Sequence, residues 1–228
     1  MHVPDGFFDL PVSALAFVAA IAVLAVATVK ARADLDDRTA PLAGLTAVFV
    51  FAAQMVNFPI AAGTSGHLIG AALAAILVGP WVGMLVMAVV ISVQALLFAD
   101  GGLSALGINL LNMAVVAVLV GWVVFRLGAR LSRSKAVLTA AAGLAGFFSV
   151  LAAAGAFVVE YAIGGTAPVS ITAVAAAMGG VHVLIGVVEG VITALVAGAV
   201  IASRPDIVAG IHGIGWTSQP VELETVGP

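Results

Sequence analysis

The sequence contains no cysteine and very little charge. Without cysteine the chain can form neither a disulfide nor a thiolate metal site, so any bound metal must be held by nitrogen and oxygen atoms. Only 8% of the residues are charged and 63% are hydrophobic, where a soluble domain has about 45–50% apolar residues. With a mean hydropathy of +1.27, these proportions predict an integral membrane protein with little soluble mass.

Lysine is also scarce, and this excludes a class of function. The two lysines are Lys30 and Lys135, and neither follows a glycine, so the chain has no phosphate-binding loop of the Gly-Lys-Ser/Thr type. Any ATP hydrolysis that drives this protein must therefore come from another subunit, and we predict that the chain itself is not an enzyme. No basic stripe is present, so no nucleic-acid partner is expected.

Long apolar runs predict an all-α bundle of about seven transmembrane helices, because a membrane span needs about 20 apolar residues. The predicted spans are residues 11–29, 41–58, 67–79, 81–98, 107–125, 136–160 and 171–202. The third is short and stops before Pro80, which cannot continue a helix. We accordingly divide the chain into an N-terminal arm (residues 1–10), a seven-helix transmembrane domain (residues 11–204) and a tail (residues 205–228).

The basic residues predict the orientation of the bundle. With seven spans, the eight lysines and arginines all fall on one side, between spans one and two, between spans five and six, and after span seven. The positive-inside rule makes that side cytoplasmic. We therefore expect the N-terminus outside and the C-terminus inside a prokaryotic plasma membrane.

The first two residues have the donor atoms of a metal chelate. The chain lacks the basic segment that begins a signal peptide, and because His2 is not a small residue we expect Met1 to be retained. The α-amine of Met1, the peptide nitrogen of His2 and the imidazole of His2 can then supply three nitrogens in one plane. His67 is predicted on the same side of the membrane and can supply the fourth. Square-planar nitrogen ligation suits Ni(II) and Cu(II), although an incidental His2 on a terminal arm remains an alternative.

Other polar residues are weaker candidates for the site. Asp5 could pin the arm, and Asn57 and Ser65 could hydrogen-bond a ligating imidazole, as outer-shell groups commonly do. His182 and Glu189 are seven residues apart, so they share a helix face inside span seven. We interpret them as an intramembrane polar pair that fixes helix packing, with a relay below the metal as the alternative. Asp100 is interpreted as a loop or cap residue.

Three segments resemble one protein family along essentially the whole chain. These are "MHVPDGF" at the N-terminus, "GTSGHLIGAALAAILVGPWVGM" in the middle and "GGVHVLIGVVEGVITAL" in the last span. They resemble the CbiM/NikM family, the substrate-capture components of energy-coupling factor transporters for cobalt and nickel. The resemblance implies a seven-helix protein whose metal ligands are Met1, His2 and His67.

The resemblance also implies partners and leaves two alternatives open. The implied partners are a transmembrane coupling subunit, two ATPase subunits and a small accessory membrane subunit, which we expect as a separate chain because the tail is short. The cargo is Co(II) or Ni(II), no cofactor is expected, and membrane lipid surrounds the bundle. The alternatives are a proton-coupled secondary metal transporter and a rhomboid-like serine protease that would use Ser65 with His182.

Overall fold

The described part of the chain forms seven α-helices, in the order that the sequence predicts. The computed structural model describes residues 1–56, 58–59 and 65–213, with the backbone alone at residues 58, 59 and 65. The helices are α1 (Leu10–Asp34), α2 (Thr39–Gln54), α3 (Ala71–Val78), α4 (Pro80–Leu97), α5 (Leu106–Leu131), α6 (Lys135–Gly164) and α7 (Ile171–Ser203). Two short strands, β1 (Phe58–Pro59) and β2 (Ser65–Gly66), pair antiparallel between α2 and α3. The all-α membrane bundle is thereby confirmed.

Five of the seven helices are long and apolar enough to cross a membrane, namely α1, α4, α5, α6 and α7. Their starts follow from local chemistry. Asp9, Ser134 and Ser170 are the N-caps of α1, α6 and α7, and the side chain of each accepts a backbone N–H from the first turn of its helix. Such caps satisfy amide groups that a helix start otherwise leaves without partners.

Helix α3 differs from the predicted span 67–79. It has eight residues, so it is about 12 Å long and cannot cross a hydrocarbon core of about 30 Å by itself. All eight side chains are buried, and residues 67–70, which precede the helix, are not helical. The chain therefore passes the third crossing partly as a non-helical segment inside the protein, where irregular backbone is tolerated at membrane depth.

Helices α3 and α4 form a tight hairpin around Gly79 and Pro80. A Cβ added at Gly83 would lie 3.1 Å from the backbone nitrogen of Ala75, so the two helix backbones approach closely at this glycine. Close approach through small residues is how membrane helices commonly pack. The hairpin directs the non-helical start of the segment, which contains His67, into the bundle.

One end of the bundle collects basic residues, as the sequence predicts. Arg126 at the end of α5 donates hydrogen bonds to the carbonyl oxygens of Gly210 and His212, at 3.0 and 2.7 Å. These carbonyls belong to the turns that follow α7, so the ends of α5 and α7 meet. The N-terminal arm lies among helix segments away from this end. Which side of the membrane this end faces stays a prediction.

Helix α5 contains a π-helical segment, Leu110–Val116. Its buried Asn112 donates a hydrogen bond from Nδ2 to Glu160 on α6 at 2.7 Å. Such wide turns commonly occur at functional sites within otherwise regular helices. Here the segment directly follows Asn109, a residue that contacts the N-terminal arm.

Candidate metal centre

The N-terminal arm is folded into the bundle rather than lying on its surface. Met1, His2 and Val3 are 3%, 2% and 1% exposed. The arm turns at Gly6, whose φ of +73° favours glycine, and Asp9 donates its backbone N–H to the carbonyl of Gly164. The turn in "PDG" thus brings the first residues of the chain back over the helices.

Aromatic packing holds the second half of the arm. Phe7 and Phe8 are buried against Phe157 and Tyr161 of α6, with ring centroids 5.5 to 6.1 Å apart. Rings at these separations add about 0.5–1.5 kcal/mol per pair beyond the area that they bury. This cluster fixes the direction from which the first residues enter the bundle.

Hydrogen bonds to α5 and to the loop before it hold the first half of the arm. The backbone N–H of Val3 donates to Oδ1 of Asn109 at 3.0 Å, and the carbonyl of Val3 accepts the N–H of Gly102 at 2.7 Å. Oδ1 of Asp5 accepts both the backbone N–H and the hydroxyl of Ser104, at 2.7 and 2.6 Å. Asp5 therefore pins the arm to the loop between α4 and α5 rather than contacting an imidazole.

His67 lies in the non-helical segment before α3 and faces His2. Its Nδ1 lies 2.7 Å from the carbonyl oxygen of Leu68, which accepts a hydrogen bond only if Nδ1 carries the proton. This tautomer leaves a lone pair on Nε2, which is buried and has no hydrogen-bond partner in the part of the chain that the structure describes. An imidazole with one nitrogen fixed by a carbonyl and the other free is the usual form of a histidine metal ligand.

The imidazole of His2 stacks on that of His67, with ring centroids 4.5 Å apart. On its other side, Nδ1 of His2 lies 3.3 Å from Oδ1 of Asp100. Burial lowers the pKa of His2 below its ordinary value of 6.5, although the neighbouring Asp100 carboxylate opposes this effect. Asp100, which the sequence suggests as a loop or cap residue, is therefore also a neighbour of the candidate ligand.

The α-amine of Met1 is buried in the same place. Burial holds the pKa of this amine well below its ordinary value of 8.0, against the attraction of the carboxylates of Asp100 and Glu189. A low pKa favours the neutral amine, which is the form that donates a lone pair to a metal.

The two imidazoles are close together. Their planes are inclined by 28° at a centroid separation of 4.5 Å, and imidazole lone pairs lie in the ring plane.

A metal site here requires main-chain nitrogens as well as side chains. The described residues contain no group of three or more His, Cys, Asp or Glu side chains that could hold a metal ion. The predicted chelate differs from such groups because two of its four nitrogens are the α-amine of Met1 and the peptide nitrogen of His2. The structure brings Met1, His2 and His67 together, as the sequence predicts.

A cavity of about 270 Å³ lies over His2. It is lined by the arm and by the loop between α4 and α5, with residues His2, Pro4, Asp5, Ala99, Asp100, Gly101 and Gly102. Two carboxylates in its wall provide a negative potential for a hydrated cation. The cavity therefore gives a route by which a cation can reach the imidazole.

The remaining predicted site residues have other positions. Asn57 lies outside the described residues, and so does the side chain of Ser65. His182 and Glu189 are buried on one face of α7, but they have different partners. Nδ1 of His182 bonds the carbonyl of Met178 at 2.8 Å, whereas the carboxylate of Glu189 accepts two backbone N–H groups before α3. The interpretation as a mutual polar pair does not describe these contacts.

Comparisons with known proteins show what the chain is similar to. A family model described as "Cobalt uptake substrate-specific transmembrane region" matches residues 2–207. A protein of Archaeoglobus fulgidus, provisionally named as a fused nickel transport protein, is 43% identical over 91% of this chain and 68% of its own length. The cobalt transport protein CbiM of Sorangium cellulosum is 35% identical over 91% of this chain and 94% of its own.

A solved structure has the same fold. The crystal structure of a transition metal transporter superposes with a TM-score of 0.82 at 32% sequence identity, covering 89% of this chain and 93% of the other. These comparisons give no support to the protease alternative. The chain belongs to the cobalt uptake substrate-specific transmembrane region family, the CbiM family of cobalt and nickel transport proteins.

Proposed function

We propose that this protein is the substrate-binding membrane subunit of an ATP-driven energy-coupling factor importer for Co(II) or Ni(II). It captures the ion at the outer face of a prokaryotic plasma membrane. A transmembrane coupling subunit, two ATPase subunits and a separate small accessory subunit complete the transporter. The absence of a Gly-Lys-Ser/Thr run from the sequence supports the assignment of ATP hydrolysis to partners.

One observation carries the proposal. The α-amine of Met1, the imidazole of His2 and the free Nε2 of His67 are buried together, next to the carboxylate of Asp100. Nitrogen donors suit divalent late transition metals, and four nitrogens in one plane favour Ni(II). When the ion binds, the peptide nitrogen of His2 loses its proton, and Asp100 offsets part of the positive charge.

The first prediction tests the main-chain chelate by moving the amine. Two extra glutamines between Met1 and His2 keep every original side chain but remove the amine from the neighbouring position, and because glutamine is not small we expect Met1 to be retained. A single inserted residue is unsuitable, because it would place the histidine third, where an amine, two peptide nitrogens and an imidazole can form a chelate by themselves. We expect Ni(II) affinity, measured by calorimetry on the purified protein, to fall about 100-fold, or about 2.8 kcal/mol.

The controls are single histidine substitutions. His2→Ala and His67→Ala should also weaken binding strongly, whereas His212→Ala should not, because His212 is exposed in the turns after α7. Unchanged affinity in the insertion variant would show that the Met1 amine is not a ligand. Equal effects of all three substitutions would indicate a general loss of structure.

Transport assays separate the proposed importer from a proton-coupled secondary transporter. We expect Ni(II) or Co(II) uptake into cells or proteoliposomes to require the partner ATPases and ATP. Collapsing the proton gradient should leave ATP-driven uptake intact. Uptake that continues without the ATPases and stops with the gradient would contradict the importer and support the secondary transporter.

A further inference from the structure

Glu189 is a buried carboxylate in the middle of α7, a helix that spans the membrane. It is 2% exposed. A carboxylate in such a position is costly unless it is well hydrogen-bonded, and in membrane segments it is commonly functional. The contacts of Glu189 therefore require an explanation beyond the packing of α7 against α6.

Both oxygens of Glu189 accept backbone N–H groups from the segment that follows His67. Oε2 accepts the N–H of Ile69 at 2.5 Å, and Oε1 accepts the N–H of Gly70 at 2.8 Å. Ile69 and Gly70 are two and three residues after His67. The carboxylate thus holds the peptide groups that carry the candidate ligand into the bundle.

The start of α3 depends on this carboxylate from another helix. Gly70, the N-cap of α3, has a φ of +77° and no side chain, and it provides no side-chain hydrogen bond to the helix. Unpaired amides and the helix dipole make a helix start favourable for an anion. Glu189 supplies that anion, with one oxygen on each of two consecutive amides.

The backbone around these two amides has little freedom to move in another direction. A Cβ at Gly70 would approach a side-chain carbon of Val50 on α2 to 2.8 Å, and the carbonyl of Ile69 accepts a 2.6 Å hydrogen bond from Gln54. On one side the segment is therefore fixed by α2, and on the other by Glu189. His67, whose Nε2 has no hydrogen-bond partner among the described residues, lies just before this fixed segment.

We propose that Glu189 is a positioning residue for the metal, which holds residues 67–70 so that Nε2 of His67 faces the Met1 amine and His2. This inference rests on the proposed function. Glu189 contacts no metal in this role. Its charge attracts the Met1 amine whether or not His67 is present, whereas its hydrogen bonds act through the backbone that carries His67. Its effect on metal affinity should therefore be larger when His67 is present.

The test compares Ni(II) affinities of the purified protein and of Glu189→Gln. Glutamine keeps the size of the side chain but can accept only one of the two N–H groups, and its amide hydrogens oppose the other. We expect an affinity loss of about 10- to 100-fold, the range found for groups that orient metal ligands. Thr193→Val is the matched control, because Thr193 is equally buried on α7 one turn away, and it should leave affinity unchanged.

A double-mutant cycle separates positioning from general stabilisation. Cu(II) is the probe, because it binds nitrogen sites more tightly than Ni(II) and so remains measurable after His67 is removed. We expect Glu189→Gln to weaken Cu(II) binding markedly in the wild type and only slightly in a His67→Ala background, where only the attraction for the Met1 amine is lost. If Glu189→Gln changes the unfolding temperature but leaves the Cu(II) affinity unchanged, the residue has only a structural role.

Each outcome has a distinct meaning. Equal losses in both backgrounds, or no loss in either, would overturn the positioning role of Glu189. If Glu189→Gln does not fold, Glu189→Asp serves instead, since the shorter carboxylate keeps its charge but withdraws from the amides, and it should show the same dependence on His67. If His67→Ala leaves wild-type affinity intact, the proposed ligand set fails, independently of Glu189.

Discussion

At the scale of single residues, main-chain groups orient the candidate ligands. The carbonyl of Leu68 fixes the proton of His67 on Nδ1 and leaves Nε2 for a metal. Val3, next to His2, is held through both its N–H and its carbonyl. The neighbours of the ligands thus hold them in place.

Asn109 gives a prediction at this scale. Asn109→Leu removes the acceptor of the Val3 N–H and leaves a buried amide without a partner, which costs about 1–3 kcal/mol of stability. We also expect Ni(II) affinity to fall about 10-fold, because the arm beside His2 loses its anchor. Thermal unfolding and metal titration measure the two effects.

The control for this prediction is Asn109→Asp, which keeps an oxygen at the acceptor position for the Val3 N–H. It should retain more of the affinity than the leucine variant. Identical losses in both variants would mean that the hydrogen bond to Val3 does not hold the arm.

Sequence alone identifies the candidate ligands but not the residues that position them. Met1, His2 and His67 can be predicted because a terminal amine followed by histidine has recognisable coordination chemistry. Asn109 and Asp5 contact partners 106 and 99 positions away along the chain. No local pattern encodes such distances, and Asp100 in "ADGG" has the sequence of an ordinary turn.

At the scale of helices, the sequence predicts the order and the starts of most helices better than it predicts how far each one extends across the membrane. Caps such as Ser134 and Ser170 mark helix starts locally, and the corresponding predicted spans begin within a residue of the observed helices. Hydropathy could not predict that α3 begins only at Ala71. That boundary depends on Glu189, whose carboxylate comes from α7 and not from the neighbouring sequence.

Two glycines in helix interiors give an element-scale prediction with a built-in control. A Cβ at Gly121 of α5 would approach Ala72 of α3 to 2.7 Å, whereas a Cβ at Gly155 of α6 meets nothing within 4 Å. Gly121→Ala should therefore lower the free energy of unfolding by about 1–3 kcal/mol, because the added methyl group would overlap Ala72 unless α5 and α3 moved apart.

Gly155→Ala should leave stability unchanged or raise it by about 0.5–1 kcal/mol, because alanine favours the helical state more than glycine does. Unfolding midpoints in one detergent compare the two variants. A similar loss in both would show that the α3–α5 contact does not determine the difference.

At the scale of the whole molecule, the arrangement separates two ends of different chemistry. The candidate site lies between the arm, the segment before α3 and the loop between α4 and α5 with its acidic Asp100, and basic residues collect where α5 and α7 end. The sequence predicts that the basic end is cytoplasmic. A cation from outside would then meet the acidic loop first.

The lack of cysteine makes this orientation directly testable. Leu103→Cys, in the loop between α4 and α5, should react with a membrane-impermeant thiol reagent in intact cells, because Leu103 is 58% exposed. Asp37→Cys, exposed between α1 and α2, should react only after permeabilisation, and the parent chain provides a background without thiols. Reaction of Asp37→Cys alone in intact cells would reverse the proposed orientation.

The π-helical segment of α5 also constrains how this chain can change in length. A residue removed between Leu110 and Val116 would allow regular helix to form there, and each residue of an α-helix turns by about 100°. Because a π-helical turn holds about one residue more than an α-helical turn, the parts of α5 before and after the deletion would keep nearly the same relative orientation. A residue removed from the regular helix that follows, Ala117–Leu131, would instead rotate Asn109 and Asn112 together by about 100°, so the extra residue of this segment is the one that α5 can lose while the arm and α6 stay aligned.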